Sequence, residues 1–196
     1  MLPGPPFDSL RESLLRTPRR QIHLDGFAPA AVLVPLLQAA GETTVLLTRR
    51  TDEVDTHKGQ ISFPGGMVEK TDADAEHAAL REAEEELGLP PSSVTVVGLL
   101  DDHATPSGFI ITPVVGVVRG TPLLVPNPRE VAEVLRVPLA FFADTTNVRR
   151  EQREFLGRMH DVWFYDTGTH VIWGATAAMI RSLLHRVGML PPPGPS

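Results

Sequence analysis

The 196-residue chain contains no cysteine, which excludes disulfides, thiolate metal sites and cysteine nucleophiles together. No apolar run approaches the roughly 18 residues that a membrane-spanning helix requires. The opening residues, MLPGPPFDSL, supply neither the basic nor the apolar segment of a secretory signal. A cytoplasmic protein with no membrane partner is the expectation. Positive charge is also in short supply, with 18 Lys and Arg against 24 Asp and Glu, a net charge of -6. That balance argues against nucleic acid as a partner, while a local basic patch can still hold a small anionic ligand. There is no internal repeat, no linker inside about 8–188, and nothing that sets an oligomeric state.

What remains fits one folded unit. Hydrophobic residues make up 42% and charged residues 21%, close to the average for globular domains. Residues 1–7 and 189–196 carry the Pro/Gly segments LPGPP and PPPGPS and are expected to be flexible ends around a single domain at 8–188. DSLRESLLR reads as a short amphipathic helix opened by Asp8 or Ser9. APAAVLVPLLQ and TTVLLTRR are β-rich runs in a hairpin-like arrangement, and GQISFPGG is a short strand stopped by Pro64, Gly65 and Gly66. DADAEHAALREAEEELG predicts a helix with Asp72 or Asp74 as N-cap and Gly88 just past its end. PPSSVTVVGLL and GFIITPVVGVV predict strands, and PREVAEVLRV a short helix begun by Pro128. DVWFYDTGTHVIWG predicts a hairpin turning at Asp166 to Thr169, and ATAAMIRSLLHRVG a closing helix. Together these predict a mixed sheet covered on two faces by helices.

Four glutamates crowd into REAEEELG, from Arg81 to Gly88. At about 100° per residue, Glu82 and Glu86 stack at i and i+4, with Glu85 on their flank. Leu80, Ala83 and Leu87 gather on another side toward the core, and Glu84 points to solvent. A strip of three carboxylates suits a hard divalent cation such as Mg²⁺ or Mn²⁺. An isolated Glu-rich helix is usually just a solvated charged face, here with an Arg81–Glu85 pair. The upstream SFPGG changes that balance, because Gly65 and Gly66 let backbone approach a ligand without interference from Cβ atoms.

Gly66, an acidic residue, and then Arg81-Glu82-x-x-Glu85-Glu86-x-Gly88 resemble the signature of the Nudix hydrolases. The usual spacing of that signature would place its glycine at Met67 and its first glutamate at Ala73. Here Gly66 and Asp72 stand one residue upstream, which concerns loop shape more than chemistry. LLTRR (Leu46 to Arg50), HKGQISFPGG (His57 to Gly66), SGFIITPVV and WGATA are similar to segments of the coenzyme A pyrophosphatases within the family. Asp55 departs from that branch by standing where a basic residue is expected.

The resemblance covers roughly 30–185 and implies a Nudix fold, an α/β/α sandwich. It also implies metal-dependent hydrolysis of CoA to 3′-phosphoadenosine 5′-phosphate and 4′-phosphopantetheine, with ADP-ribose or another nucleoside diphosphate derivative as the alternative substrate. Glu82 and Glu86 would be direct metal ligands, joined by the Gly66 carbonyl. Glu85 would bind a second ion or accept the proton of the attacking water, and Arg81 would orient Glu85. Glu130, Glu133, Glu151 and Glu154 are further candidates for the proton acceptor outside the box. Arg49, Arg50, His57 and Lys58 are the basic residues nearest the site, with Arg49, Arg50, Lys58 and Gly65 expected to bind substrate. His103, His160 and His170 read as ordinary histidines. With no cysteine nucleophile and no serine elbow, direct in-line attack by water is favoured.

Overall fold

The computed structural model describes residues 7–39, 41–51 and 59–191. Helix α1 (Phe7–Arg16) buries Leu10 and Leu14, one turn apart, as its amphipathic pattern requires. Asp8 and Ser9 lie inside this helix and not before it. Strand β1 (Ala28–Ala39) is the axis of the molecule. It runs parallel to β7 (Phe109–Val118) over ten residue pairs, from Ala28↔Phe109 to Leu37↔Val118. Along its other edge it forks. Leu36 to Ala39 pair with β2 (Glu42–Arg50), and Ala30 to Val32 pair with β4 (Gly65–Met67), both antiparallel.

Strand β3 (Ile61–Ser62) pairs with β2, β5 (Val94–Leu99) and β6 (His103–Ala104) pair with β7, and β8 (Val131–Pro138) pairs with β2. The result is an eight-stranded mixed sheet. Its central strands are apolar at nearly every position because both faces are covered. Val32, Val34 and Leu36 enter one core with Leu10, Leu14 and the closing helix, while Ala31 and Leu33 enter the other with Leu46, Val114 and helix α2 (Ala75–Leu87). The two-residue alternation of a strand thus divides one hydrophobic run between two cores.

Helix α2 starts at Asp74, whose carboxylate accepts the His77 N–H at 2.9 Å. It ends at Gly88 (φ 63°), whose N–H reaches back to the Ala83 and Glu84 carbonyls. Ala78, Ala79 and Ala83 are fully buried, so the helix axis lies close to the sheet.

Two expectations change here. PREVAEVLRV does not form a helix: Val131–Pro138 is β8, paired antiparallel along β2 from Thr44↔Pro138 to Arg50↔Val131. The edge of β2 offers backbone partners that outweigh the helix preference of Glu and Ala, and the valines fit the pleat. GQISFPGG is not one strand ended by glycines. Pro64 separates β3 from β4, and Gly65 and Gly66 are ladder residues against Val32 and Ala31.

A second sheet completes the chain. After helix α3 (Leu139–Ala143), strands β9 (Val148–Phe155), β10 (Arg158–Asp166) and β11 (Val171–Trp173) form an antiparallel meander in the order β11-β10-β9. The β9–β10 turn places Leu156 and Gly157 at positive φ (51° and 71°), the conformation of a tight hairpin. One face of this sheet presents Tyr165 and Ile172 to helix α4 (Gly174–Arg186) and the first core. Met189 packs against that core and Leu190 is buried in it, so the first residues of the expected flexible tail are held. Residues 192–196 and 1–6 lie outside the described residues.

Candidate active site

The site is built where β4 passes under α2. Gly66 stands so close to Glu82 that a Cβ there would lie 2.5 Å from Glu82 Oε1. Beside it, a Cβ on Gly65 would lie 2.4 Å from the Ala31 carbonyl oxygen. Neither glycine has positive φ, so both are required for space and not for backbone freedom.

Arg81 organises the carboxylates. Its guanidinium donates twice to Asp72, from Nε to Oδ1 and from Nη2 to Oδ2, both at 3.0 Å. Its Nη1 donates to Glu82 Oε1 at 2.8 Å and to Glu85 Oε2 at 3.3 Å, and Nη2 also reaches the Met67 carbonyl at 3.2 Å. Asp72 in turn accepts the Glu69 N–H at 2.8 Å. These bonds, with Arg81 foremost, hold Asp72 below the usual carboxylate range. Asp72 is therefore the clamp of the loop between β4 and α2, and Asp74 alone caps the helix.

The three glutamates separate. Glu86 is 4% exposed, and burial pushes its carboxyl up to about 8 against the opposing pull of Arg50. Glu82 is also raised by burial, with the bond from Arg81 counteracting it. The negative field of Glu82 reaches Glu86, so these two form a pair. Glu85 stands apart from Glu86, although its negative field reaches Glu82. Its side chain is 57% exposed and turns to Arg81, which stands between it and Glu82. Glu84 is exposed, as helical geometry requires.

The donor set fits a divalent cation. A buried carboxyl with a second carboxylate beside it is an unfavourable arrangement that a positive ion relieves. Among the described residues no three His, Asp or Glu side chains close into a ready-made metal cage. A metal held here would take few protein ligands, with water and phosphate oxygens completing its shell, as is common for Mg²⁺.

A cavity of about 700 Å³ opens from Gly65 and Gly66 and runs between the two sheets. Arg50 lines it, with its Nε buried and without a hydrogen-bond partner among the described residues. Arg49 does not line it; its Nε donates to Glu133 at 3.2 Å, and His170 Nε2 lies 3.3 Å from the same carboxylate. The ladder with β8 shifts register between Arg49 and Arg50, and of the two arginines Arg50 is the one that lines the cavity. Lys58, His57 and Asp55 lie outside the described residues. His103 and His160 both line the cavity, and burial holds His103 below its usual value and so neutral at pH 7.

Of the carboxylates outside the box, Glu130 is the one whose field is felt at both Glu82 and Glu86. The Asn127 side-chain amide donates to it at 2.8 Å, and the Glu130 carbonyl accepts from the Thr51 N–H. Glu133 is taken by Arg49, Glu151 by Arg149 and Arg153, and Glu154 lines the cavity farther along. Arg153 and Trp173, on the second-sheet wall of the cavity, were not foreseen. Trp173 belongs to the expected hairpin DVWFYDTGTHVIWG, but nothing in VRREQREF marks Arg153.

Residues 27–159 match the family model described as NUDIX domain. The chain is 38% identical over 158 residues to a Photorhabdus laumondii protein named "Uncharacterized Nudix hydrolase NudL", covering 81% of this chain and 84% of that one. It is 39% identical over 165 residues to "Nudix hydrolase 15, mitochondrial" of Arabidopsis thaliana, covering 80% of this chain and 58% of that one. Among solved structures, a MutT/nudix family protein from Enterococcus faecalis superposes with a TM-score of 0.54 at 18% identity, over 85% of this chain and 64% of that one. That likeness concerns the fold, which is the expected mixed sheet with helices packed on it. Among the described residues no helix is long and apolar enough to cross a membrane. With its matched domain, its close relatives and the Arg81-centred box, the chain belongs to the Nudix hydrolase family, enzymes that act on phosphoric anhydride bonds.

Proposed function

We propose that this enzyme hydrolyses the pyrophosphate of CoA or its thioesters to 3′-phosphoadenosine 5′-phosphate and the 4′-phosphopantetheine product. The observation that carries the reading is the course of GQISFPGG, the segment most similar to the CoA-cleaving branch. It does not end at the glutamates. Gln60, Ser62, Phe63, Gly65 and Gly66 continue as one wall of the cavity, joining the box to a space large enough for an extended nucleotide.

Nudix enzymes generally use divalent metal ions, usually Mg²⁺ or Mn²⁺. Glu82 and Glu86 would hold such an ion here, with the Gly66 carbonyl beside them. A bound divalent ion neutralises pyrophosphate charge and acidifies an attacking water. The protein's own residues supply the rest. Arg81 fixes the Glu82 carboxylate, Arg50 faces the phosphates from the cavity wall, and the Gly65–Gly66 backbone admits them closely. A water attacks phosphorus in line, the bond from that phosphorus to the bridging oxygen breaks so that the other phosphate leaves, and the water's proton passes to a carboxylate, a task for which Glu130 is better placed than Glu85. Glu130 is held by Asn127 beside the buried pair, whereas Glu85 is exposed and committed to Arg81. Accordingly, Glu130→Gln is expected to lower kcat about 100-fold with little change in KM, and Glu85→Gln by less than about tenfold. Steady-state kinetics at saturating Mg²⁺ measure both, and the reverse order would return the base to Glu85.

The substrate is tested by chromatography of products from CoA, acetyl-CoA and ADP-ribose, each with and without Mg²⁺. The expected result is metal-dependent release of 3′-phosphoadenosine 5′-phosphate, with kcat/KM highest for CoA or its thioester. A ranking led by ADP-ribose would discard the CoA assignment and leave the catalytic box standing.

A further inference from the structure

We infer that Trp173 and Arg153 form a stacking platform for the nucleobase of the substrate, on the second-sheet wall of the cavity that Gly65 and Gly66 also line. The inference rests on the reading of the substrate as an adenine-containing diphosphate, and it adds where the base goes and which residues select it.

Trp173 ends β11 and is paired in register with Phe164 of β10, which is paired with Arg149 of β9. This cross-strand row lies on the face of the second sheet turned away from the core. The Trp173 and Phe164 rings are nearly parallel, 5° between planes, with centroids 5.7 Å apart. The Arg149 guanidinium caps Phe164 at 3.9 Å. From the same face of β9, the Arg153 guanidinium lies 5.6 Å from the Phe164 centroid and 5.8 Å from that of Trp173. Glu151 bonds both arginines and so fixes their spacing.

Only part of this ladder is open. Phe164 is buried, but Trp173 remains 37% exposed, and Trp173 and Arg153 both line the cavity that begins at Gly66. A flat indole, immobilised from behind by a second ring and flanked by a guanidinium, is organised in advance for another flat ring. A purine stacks on such a surface with little loss of internal freedom. A flexible pantetheine arm would lose many rotamers to lie along it and gain no matching plane. The same cavity therefore separates two tasks, with the first sheet carrying charge for the phosphates and the second an aromatic face for the base.

Trp173 reports on this directly. The chain has two tryptophans, and Trp163 stacks under Arg181, 3.7 Å from its ring centroid, and not in the Phe164–Trp173 row. In a Trp163→Phe background, adenosine and AMP without metal are expected to quench the remaining tryptophan emission saturably, while ribose 5-phosphate and pantetheine do not. In the full chain, Trp173→Ala is expected to raise KM for the adenine substrate about tenfold with kcat within twofold. Trp173→Phe should recover most of that loss. Quenching by pantetheine in place of adenosine, no saturable quenching by either, or an unchanged KM in Trp173→Ala would each overturn the platform. If adenosine quenches but CoA is not cleaved, the platform stands and the CoA reading falls. If CoA is cleaved and adenosine leaves the emission unchanged, the reverse holds.

Discussion

Glu86→Gln is expected to lower kcat at least about 100-fold while making the metal-free protein more stable at pH 8. Both effects follow from one buried carboxyl. Glu86 is almost wholly buried and its folded-state value is about 8, raised from 4.5 chiefly by loss of water. Below about pH 4.5 the group is protonated in folded and unfolded chains alike and costs nothing. Between about 4.5 and 8 the folded state retains a proton that the unfolded state has released, so stability falls as pH rises through that window. The full penalty, about 5 kcal/mol, is reached above pH 8. Glutamine removes the titration and keeps an oxygen near the Gly65 backbone, but loses the charge that a divalent cation requires.

Thermal unfolding in EDTA across pH 5.5–8.5 should therefore slope downward for the wild type and lie flatter for the variant. Adding Mg²⁺ should raise Tm in the wild type and leave the variant nearly unmoved. Near wild-type turnover in Glu86→Gln would remove Glu86 from the metal site. A variant less stable than wild type in EDTA at pH 8 would contradict the burial account.

The second large effect separates two adjacent glycines. Gly65→Ala is expected to destabilise the fold by about 3 kcal/mol or more, because its Cβ meets backbone. The atoms in the way are the Ala31 carbonyl oxygen at 2.4 Å and Val32 Cα at 2.6 Å, both in the central strand β1. They cannot yield without disturbing the ladders on both edges of that strand. Gly66→Ala meets instead the carboxylate end of Glu82, at 2.5 Å from Oε1 and 2.7 Å from Cδ. A glutamate tip can rotate away, so stability should fall by only about 1 kcal/mol. Catalysis should fall at least tenfold and require more Mg²⁺, since the displaced tip is the ligand proposed for the metal. Urea unfolding and Mg²⁺ titrations of kcat distinguish the pair. Equal stability losses would mean that β4 is less tightly bound to β1 than its register indicates.

The box was legible because local chemistry determines it. Asp74, the alanines and Gly88 specify a capped helix whatever surrounds them, and helical periodicity places Glu82 beside Glu86. The Arg81–Glu85 pair was legible from the i,i+4 spacing, but how far Glu85 stands from the buried Glu86 was not, because periodicity gives a direction and not a depth. Arg49 and Arg50 are indistinguishable in a sequence; the assembled sheet, with its register shift between them, leaves Arg49 bonded to Glu133 and Arg50 on the cavity wall. The helix expected at 128–137 failed for a related reason, since the free edge of β2 is a property of the assembled sheet. Of the second sheet, the β10–β11 hairpin was legible in DVWFYDTGTHVIWG, but β9 went unseen because it is largely exposed and its polar residues carry no hydrophobic signature.

The parallel pairing of β1 with β7 also bears on the order in which the enzyme is made. Its register joins Ala28 to Phe109, so the chain must close a loop of about 80 residues before the central strand has both neighbours. On the ribosome, β1, β2, β4 and α2 all emerge before β7 does. The antiparallel contacts of β1 with β2 and β4 are available to the nascent chain, but the surface between α2 and β7, where Ala83 and Val114 share a core, is not. The glutamates are thus synthesised ahead of the strand that completes the sheet beneath them, and catalytic competence is acquired late in synthesis, after this distant pairing has closed.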